Sequence, residues 1–183
     1  MYRQSVIVVM LLLLSGCSSM KVVPLDQKTG RYPTSSKATV VASKPFDLDS
    51  RKALILVPNG DFFVGEITNM NYFTQVITID DLEKAIVQKN LGDKVPSIHD
   101  AIGISNAAKY YQPFLWLHAK THGSGTDTFA QFILTDPVTL DDLLVVETHL
   151  DYVWSGVNDQ NNWYPMFNAL IDYIQSNSKT YHR

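Results

Sequence analysis

Three runs rich in β-formers, Phe114 to Ala119, Phe129 to Leu134 and Leu143 to Trp154, follow one another with only turn residues between them. The links are too short for a crossover helix, so the strands must pair antiparallel with their sequence neighbours. His122-Gly123-Ser124-Gly125 reads as the first hairpin loop and Thr135-Asp136-Pro137 as the second turn, with Asp141-Asp142 at a polar tip. A sheet buries at least one face, so something else in the chain must cover it. The clearest cover follows directly: Trp163, Met166, Phe167, Leu170, Ile171 and Ile174 recur at i, i+3, i+4, i+7, i+8 and i+11. That is one apolar stripe of a helix, and Pro165 suits its first turn.

Upstream, Ala53 to Val57 reads as a buried strand ended by Pro58-Asn59-Gly60. Glu66 to Phe73 reads as a short helix and Gln75 to Ile79 as a second strand. Asp80 with Glu83 three residues on approximates a capping box, opening a helix that Asn90-Leu91-Gly92 stops. Ser97 reads as the next N-cap, for a helix to about Tyr111 with Ile98, Ala101, Ile102 and Ala108 on one face. The order β-α-β-α-α-β-β-β-α predicts one α/β domain of the α+β kind: a single mixed sheet with helices packed on it.

The chain has one cysteine, Cys17, so no internal disulfide can hold the fold and the core alone must do it. A short positive region, Met1 to Gln4, precedes an aliphatic run from Val6 to Leu14, and Leu14-Ser15-Gly16-Cys17 follows. This is the anatomy of a secretory signal, too short to span a bilayer. Leu14-Ser15-Gly16-Cys17 resembles the bacterial lipobox. That resemblance implies removal of residues 1–16, acylation of Cys17 and a lipid-anchored protein. Ser18, standing where Asp would mean inner-membrane retention, implies the outer membrane, with the domain facing the periplasm. Stable anchoring takes more than one acyl chain or signal. Residues 17–50 carry little periodicity and several Pro, Gly and Ser residues, so they read as a flexible tether, although Thr39-Val40-Val41 can add an edge strand. The globular domain is then 51–178 and 179–183 a polar tail.

Hydrophobic residues make up 45% and charged residues 18%, which fits a globular domain, and a net charge of −3 gives no pull toward nucleic acid. No phosphate loop, Gly-x-Ser-x-Gly elbow or His-Glu-x-x-His helix occurs, and no cofactor is implied. Two constellations carry chemistry. His118 and His122 share a strand face, as do Glu147, His149 and Asp151 on the next strand but one. His118, Glu147, His149 and Asp151 can be read as ligands of a divalent metal in a periplasmic hydrolase, or as a base with its orienting partner. The simpler reading, which the alternation of polar with apolar residues favours, is the wetted face of an antiparallel sheet. The second constellation places Trp154, Asn158, Asp159, Asn161, Trp163 and Tyr164 around an amide-rich loop. Aromatic and amide groups together suit recognition of protein or glycan, and the alternative is that the tryptophans are core.

Phe73-Thr74-Gln75-Val76-Ile77, followed by the helix Asp81-Leu82-Glu83-Lys84-Ala85-Ile86, resembles a strand-helix unit of the curli-secretion-lipoprotein-like fold. Ala107-Ala108 to Leu115-Trp116-Leu117 is similar to the helix leading into its central strand. Phe132 to Thr139 is similar to its hairpin corner, with Leu140 where the family carries Gly and Ile79-Asp80 where it carries Arg. The same pattern is similar to the N-terminal domain of the Tol-system propeller protein and to lipoprotein activators of penicillin-binding proteins. The likeness spans Ala53 to Ser176. It implies a non-enzymatic envelope protein that works by binding or assembly, its partner another envelope protein or peptidoglycan. A subunit of an oligomeric secretion or envelope complex is a further reading.

Overall fold

The computed structural model describes residues 20–150 and 162–181. Among these residues the chain forms one six-stranded mixed sheet and four α-helices, as the sequence predicts. In chain order these are β1 (Thr39–Ser43), β2 (Leu54–Val57), α1 (Asp61–Asn69), β3 (Gln75–Thr78), α2 (Ile79–Gln88), α3 (Ala101–Tyr110), β4 (Leu115–Ser124), β5 (Asp127–Asp136), β6 (Asp141–His149) and α4 (Tyr164–Asn177). Leu48–Arg51 is a turn of 3-10 helix. The strand order is β1-β6-β5-β4-β2-β3. β3 and β4 run parallel to β2, while β5, β6 and β1 continue antiparallel from β4.

The sheet has two unequal faces. On the first, α1 and α4 pack across its breadth. Phe132 lies at the centre, its ring 4.9 Å from Phe167 and 5.6 Å from Trp163. The apolar stripe read in the sequence is the reason: Met166, Phe167, Leu170, Ile171 and Ile174 are all buried there. On the second face, α2 and α3 cover Leu54, Leu56, Ile77 and Phe114, that is, β2, β3 and the start of β4 only. No described helix lies over the second face of β5, β6 and β1.

Several local expectations shift. The first helix begins at Asp61 rather than Glu66, so Phe62 and Phe63 are helical and join the core. The capping box sits two residues earlier than expected: Thr78 Oγ1 accepts from the Asp81 amide and Asp81 accepts from the Thr78 amide, both at 3.2 Å. Asp100, not Ser97, caps α3, accepting from the Gly103 amide at 2.7 Å. That rotates the helix, so Gly103, Ile104, Ala107 and Ala108 face inward while Ile102 is exposed. Asp141 and Asp142 open β6 instead of forming a hairpin tip, and Lys44 holds Asp141 at 2.8 Å.

The largest correction is to the tether and tail. Thr39-Val40-Val41 does add an edge strand, antiparallel to β6. But the rest of the segment is also laid on the domain. Tyr32 is 2% exposed and stacks on Tyr164 at 5.3 Å. Leu48 is fully buried. At the other end Asp49 accepts from Ser178 and Thr180 hydroxyls, both at 2.7 Å, and from the Lys179 amide at 2.8 Å. These bonds seat Tyr181 against Tyr72 and hold the Asp49 carboxyl well below the ordinary carboxylate range. Weak periodicity and Pro, Gly and Ser content are a poor guide here because a few large rings and main-chain hydrogen bonds carry these attachments.

Candidate functional site

The β4–β5 hairpin determines how far the polar strands extend. Ser124 pairs with Asp127, leaving a two-residue turn of Gly125 and Thr126. Gly125 has φ +60° at the first central position, the feature of a type II′ turn, which matches the twist of the flanking strands. His122 is therefore in β4 and not in a loop. The registers then place Trp116, His118, Lys120 and His122 of β4 beside Phe129, Gln131, Ile133 and Thr135 of β5. Val145, Glu147 and His149 of β6 continue the row. This is the half of the second face that no described helix covers.

Two polar knots organise it. In the first, the Thr135 hydroxyl donates to Asp142 Oδ1 at 2.7 Å. Having given its proton there, Thr135 Oγ1 accepts from His118 Nε2 at 3.1 Å, so the His118 proton sits on Nε2. The His118 ring stacks on Trp116 at 4.1 Å and 19°. Burial lowers the His118 pKa below 6.5, against a smaller upward pull from Asp142, and keeps the ring neutral. In the second knot, Glu147 Oε2 accepts from Gln131 Nε2 at 2.8 Å and from His122 Nε2 at 2.9 Å. These two donors lower the Glu147 pKa below 4.5, Gln131 first and His122 second. His122 stacks on Phe129 at 5.3 Å, and Phe129 meets the His149 ring edge-on at 5.1 Å. His149 Nε2 donates to the Thr126 carbonyl at 2.7 Å.

This arrangement separates the metal set read from the sequence. His118, Glu147 and His149 do share the face, but each is committed to a different partner. Among the described residues no three His, Cys, Asp or Glu side chains stand close enough to share an ion. Asp151 lies outside the described residues. Nor does Thr135 form a nucleophile with His118 as its base, since its proton points to Asp142 and it is only 3% exposed.

The aromatic set divides too. Tyr164 is buried and gives its hydroxyl proton to the Lys21 carbonyl at 3.3 Å. Trp163 packs edge-on to Phe63 at 5.5 Å. Tyr164 belongs to the core under the first face, and Trp163 is half-buried against that core. Trp154, Asn158, Asp159 and Asn161 lie outside the described residues, as does Cys17. Sequence reasoning missed Trp116, Phe129 and Gln131. Period-2 spacing from His118 would have found Trp116, whereas Phe129 and Gln131 required the cross-strand register. A groove of about 600 Å³ lies elsewhere, along the seam between residues 26–40 and α4, and none of these imidazoles lines it. Among the described residues no helix is long and apolar enough to cross a membrane.

No family model matches this chain. No curated protein matches it. Among solved structures it is similar to the LpoB C-terminal domain from Salmonella enterica, crystallised with selenomethionine. That likeness has 16% sequence identity and a TM-score of 0.36, over 55% of this chain and 84% of the other.

Proposed function

We propose that this chain is a lipid-anchored envelope protein, acylated at Cys17 and held at the outer membrane facing the periplasm, and that its domain works by binding another envelope protein. The sequence Leu14-Ser15-Gly16-Cys17 supports the anchor. The observation that carries the binding role is the half of the second sheet face that no described helix covers. There the indole of Trp116, the imidazoles of His118, His122 and His149 and the apolar ring of Phe129 lie side by side. Aromatic rings are what protein interfaces concentrate at their centres. His118 is held by Thr135, His122 by Glu147 and His149 by the Thr126 carbonyl, and rings fixed in this way suit recognition better than catalysis.

The test is site-specific photo-crosslinking in intact cells. A photoreactive residue at His122 or Phe129 should join the protein to one discrete partner band. The same residue at Val87, exposed on α2, should not. Equal labelling from both positions, or glycan-only adducts from the face, would refute a protein partner there. Cys17→Ala should abolish palmitate incorporation, and persistent labelling would refute the anchor.

A further inference from the structure

The segment that composition marks as a tether is gripped through its own main chain. Asn168 of α4 accepts from the Tyr32 amide at 2.8 Å and donates to the Tyr32 carbonyl at 3.0 Å. From α1, Glu66 accepts from the Val23 amide at 3.0 Å and Asn69 donates to the Val23 carbonyl at 2.9 Å. Arg31 pairs with Asp172 and donates to Gln175 at 2.7 Å. Val22 lies so close over α1 that a Cβ on Gly65 would stand 2.4 Å from its Cγ2. Reading a residue's N–H and C=O together is what a neighbouring strand does. Here side chains at two points do it, so the segment is held as a strap whatever its hydropathy.

The grip starts at Lys21, whose carbonyl accepts from the Tyr164 hydroxyl. The chain from Cys17 to Lys21 can span at most about 14 Å even fully extended. A free chain from Cys17 to Thr39 would instead have an r.m.s. reach of roughly 26 Å and a limit of roughly 79 Å. We infer that the strap of residues 21–33 holds the domain against the bilayer that carries its lipid, so that its partner is a protein seated in or on that same membrane. The inference rests on the acylation of Cys17 proposed above. A partner across the envelope would need the longer reach, and the docked strap denies it.

Energy transfer on vesicles tests this. The acylated full chain with Glu83→Cys carries a donor dye at that single free thiol, since Cys17 is blocked. Phosphatidylethanolamine/phosphatidylglycerol vesicles carry a headgroup acceptor. Gly65→Leu fills the place Val22 occupies while improving helix propensity, so it should expel the strap and leave α1 intact. Asn168→Ala removes two main-chain bonds and should act in the same direction, and it decides alone if Gly65→Leu unfolds. The expected result is high transfer in the parent chain and lower transfer in both variants. Tryptic cleavage after Arg31 should accelerate about tenfold or more, in line with the loss of two hydrogen bonds. Transfer in the parent as low as in the variants overturns the inference, as does unchanged transfer or unchanged cleavage in them. Mass spectrometry separates the two failures: a chain without acyl groups that stays off vesicles overturns the anchor as well, whereas an acylated chain with a distant domain overturns this inference alone.

Discussion

Tyr32→Ala separates a tether from a structural strap in one measurement. In a tether the substitution would change stability by no more than about 0.5 kcal/mol, as at other surface sites. In the fold described here Tyr32 is 2% exposed, stacked on Tyr164 at 5.3 Å and tilted against Phe167 at 5.6 Å. Its hydroxyl donates to the Glu66 carbonyl, and burial, with Glu66 beside it, pushes its pKa far above the ordinary tyrosine value. Truncating a buried aromatic costs about 3–5 kcal/mol. For a chain of this size each kcal/mol moves Tm by roughly 2–4 °C, so the melting temperature should fall by about 6–20 °C. Tyr32→Phe keeps the ring and loses one hydrogen bond, for about 0.5–1.5 kcal/mol. Lys37→Ala, exposed on the same segment, is the control and should stay near the parent. Urea and thermal unfolding of the three variants give the answer. A Tyr32→Ala protein as stable as Lys37→Ala would refute the claim that this segment is part of the core.

Other consequences follow from particular contacts. Gly103→Ala puts a Cβ 2.0 Å from the Ser97 carbonyl oxygen, so backbone must move; it should destabilise by about 1–3 kcal/mol despite better helix propensity, while Gly92→Ala, with open space around it, should not. Paired urea titrations check this, and equal midpoints would contradict it. His118 titrates lower in the folded chain than its free value of 6.5. Above that pH it is neutral in both states; as pH falls through 6.5 the unfolded chain takes the proton first, so stability drops until the folded pKa is reached. His118→Gln should flatten this limb of the stability–pH curve, and an unchanged limb would assign it elsewhere. Glu147 works in a separate window: its lowered pKa contributes stability above 4.5 that is lost as pH falls through the folded value. Gln131→Leu removes the main cause of that shift and should move the Glu147 carboxyl resonance toward 4.5 in an NMR titration.

Local periodicity made much of this architecture legible. The stripe from Trp163 to Ile174 is long, so its period could not be mistaken, and the three β runs could pair only in sequence order. Short elements were less secure. Thr78, Asp80 and Asp81 can all cap a helix, and only the backbone path selects Thr78 with Asp81. α3 is apolar on several sides, so its inward face depended on the Asp100 cap and on the close approach of Gly103 to Ser97. For the candidate site, spacing alone put His118 with His122, and Glu147 with His149, on common faces.

Alternation therefore fixed which side chains travel together, because a strand turns each successive residue to the opposite side. It could not say which face the helices would cover, since that follows from the crossovers of α2 and α3 over β2 and β3. Nor could it pair His122 with Glu147 across Gln131, because cross-strand register is a property of the assembled sheet. The N-terminal segment shows the limit most clearly. Its composition describes a chain with little to bury, and that is true of most of its residues. Tertiary structure made it a strap, because Asn69, Asn168 and Glu66 bind its main chain, and the main chain has the same hydrogen-bonding groups whatever side chains it carries.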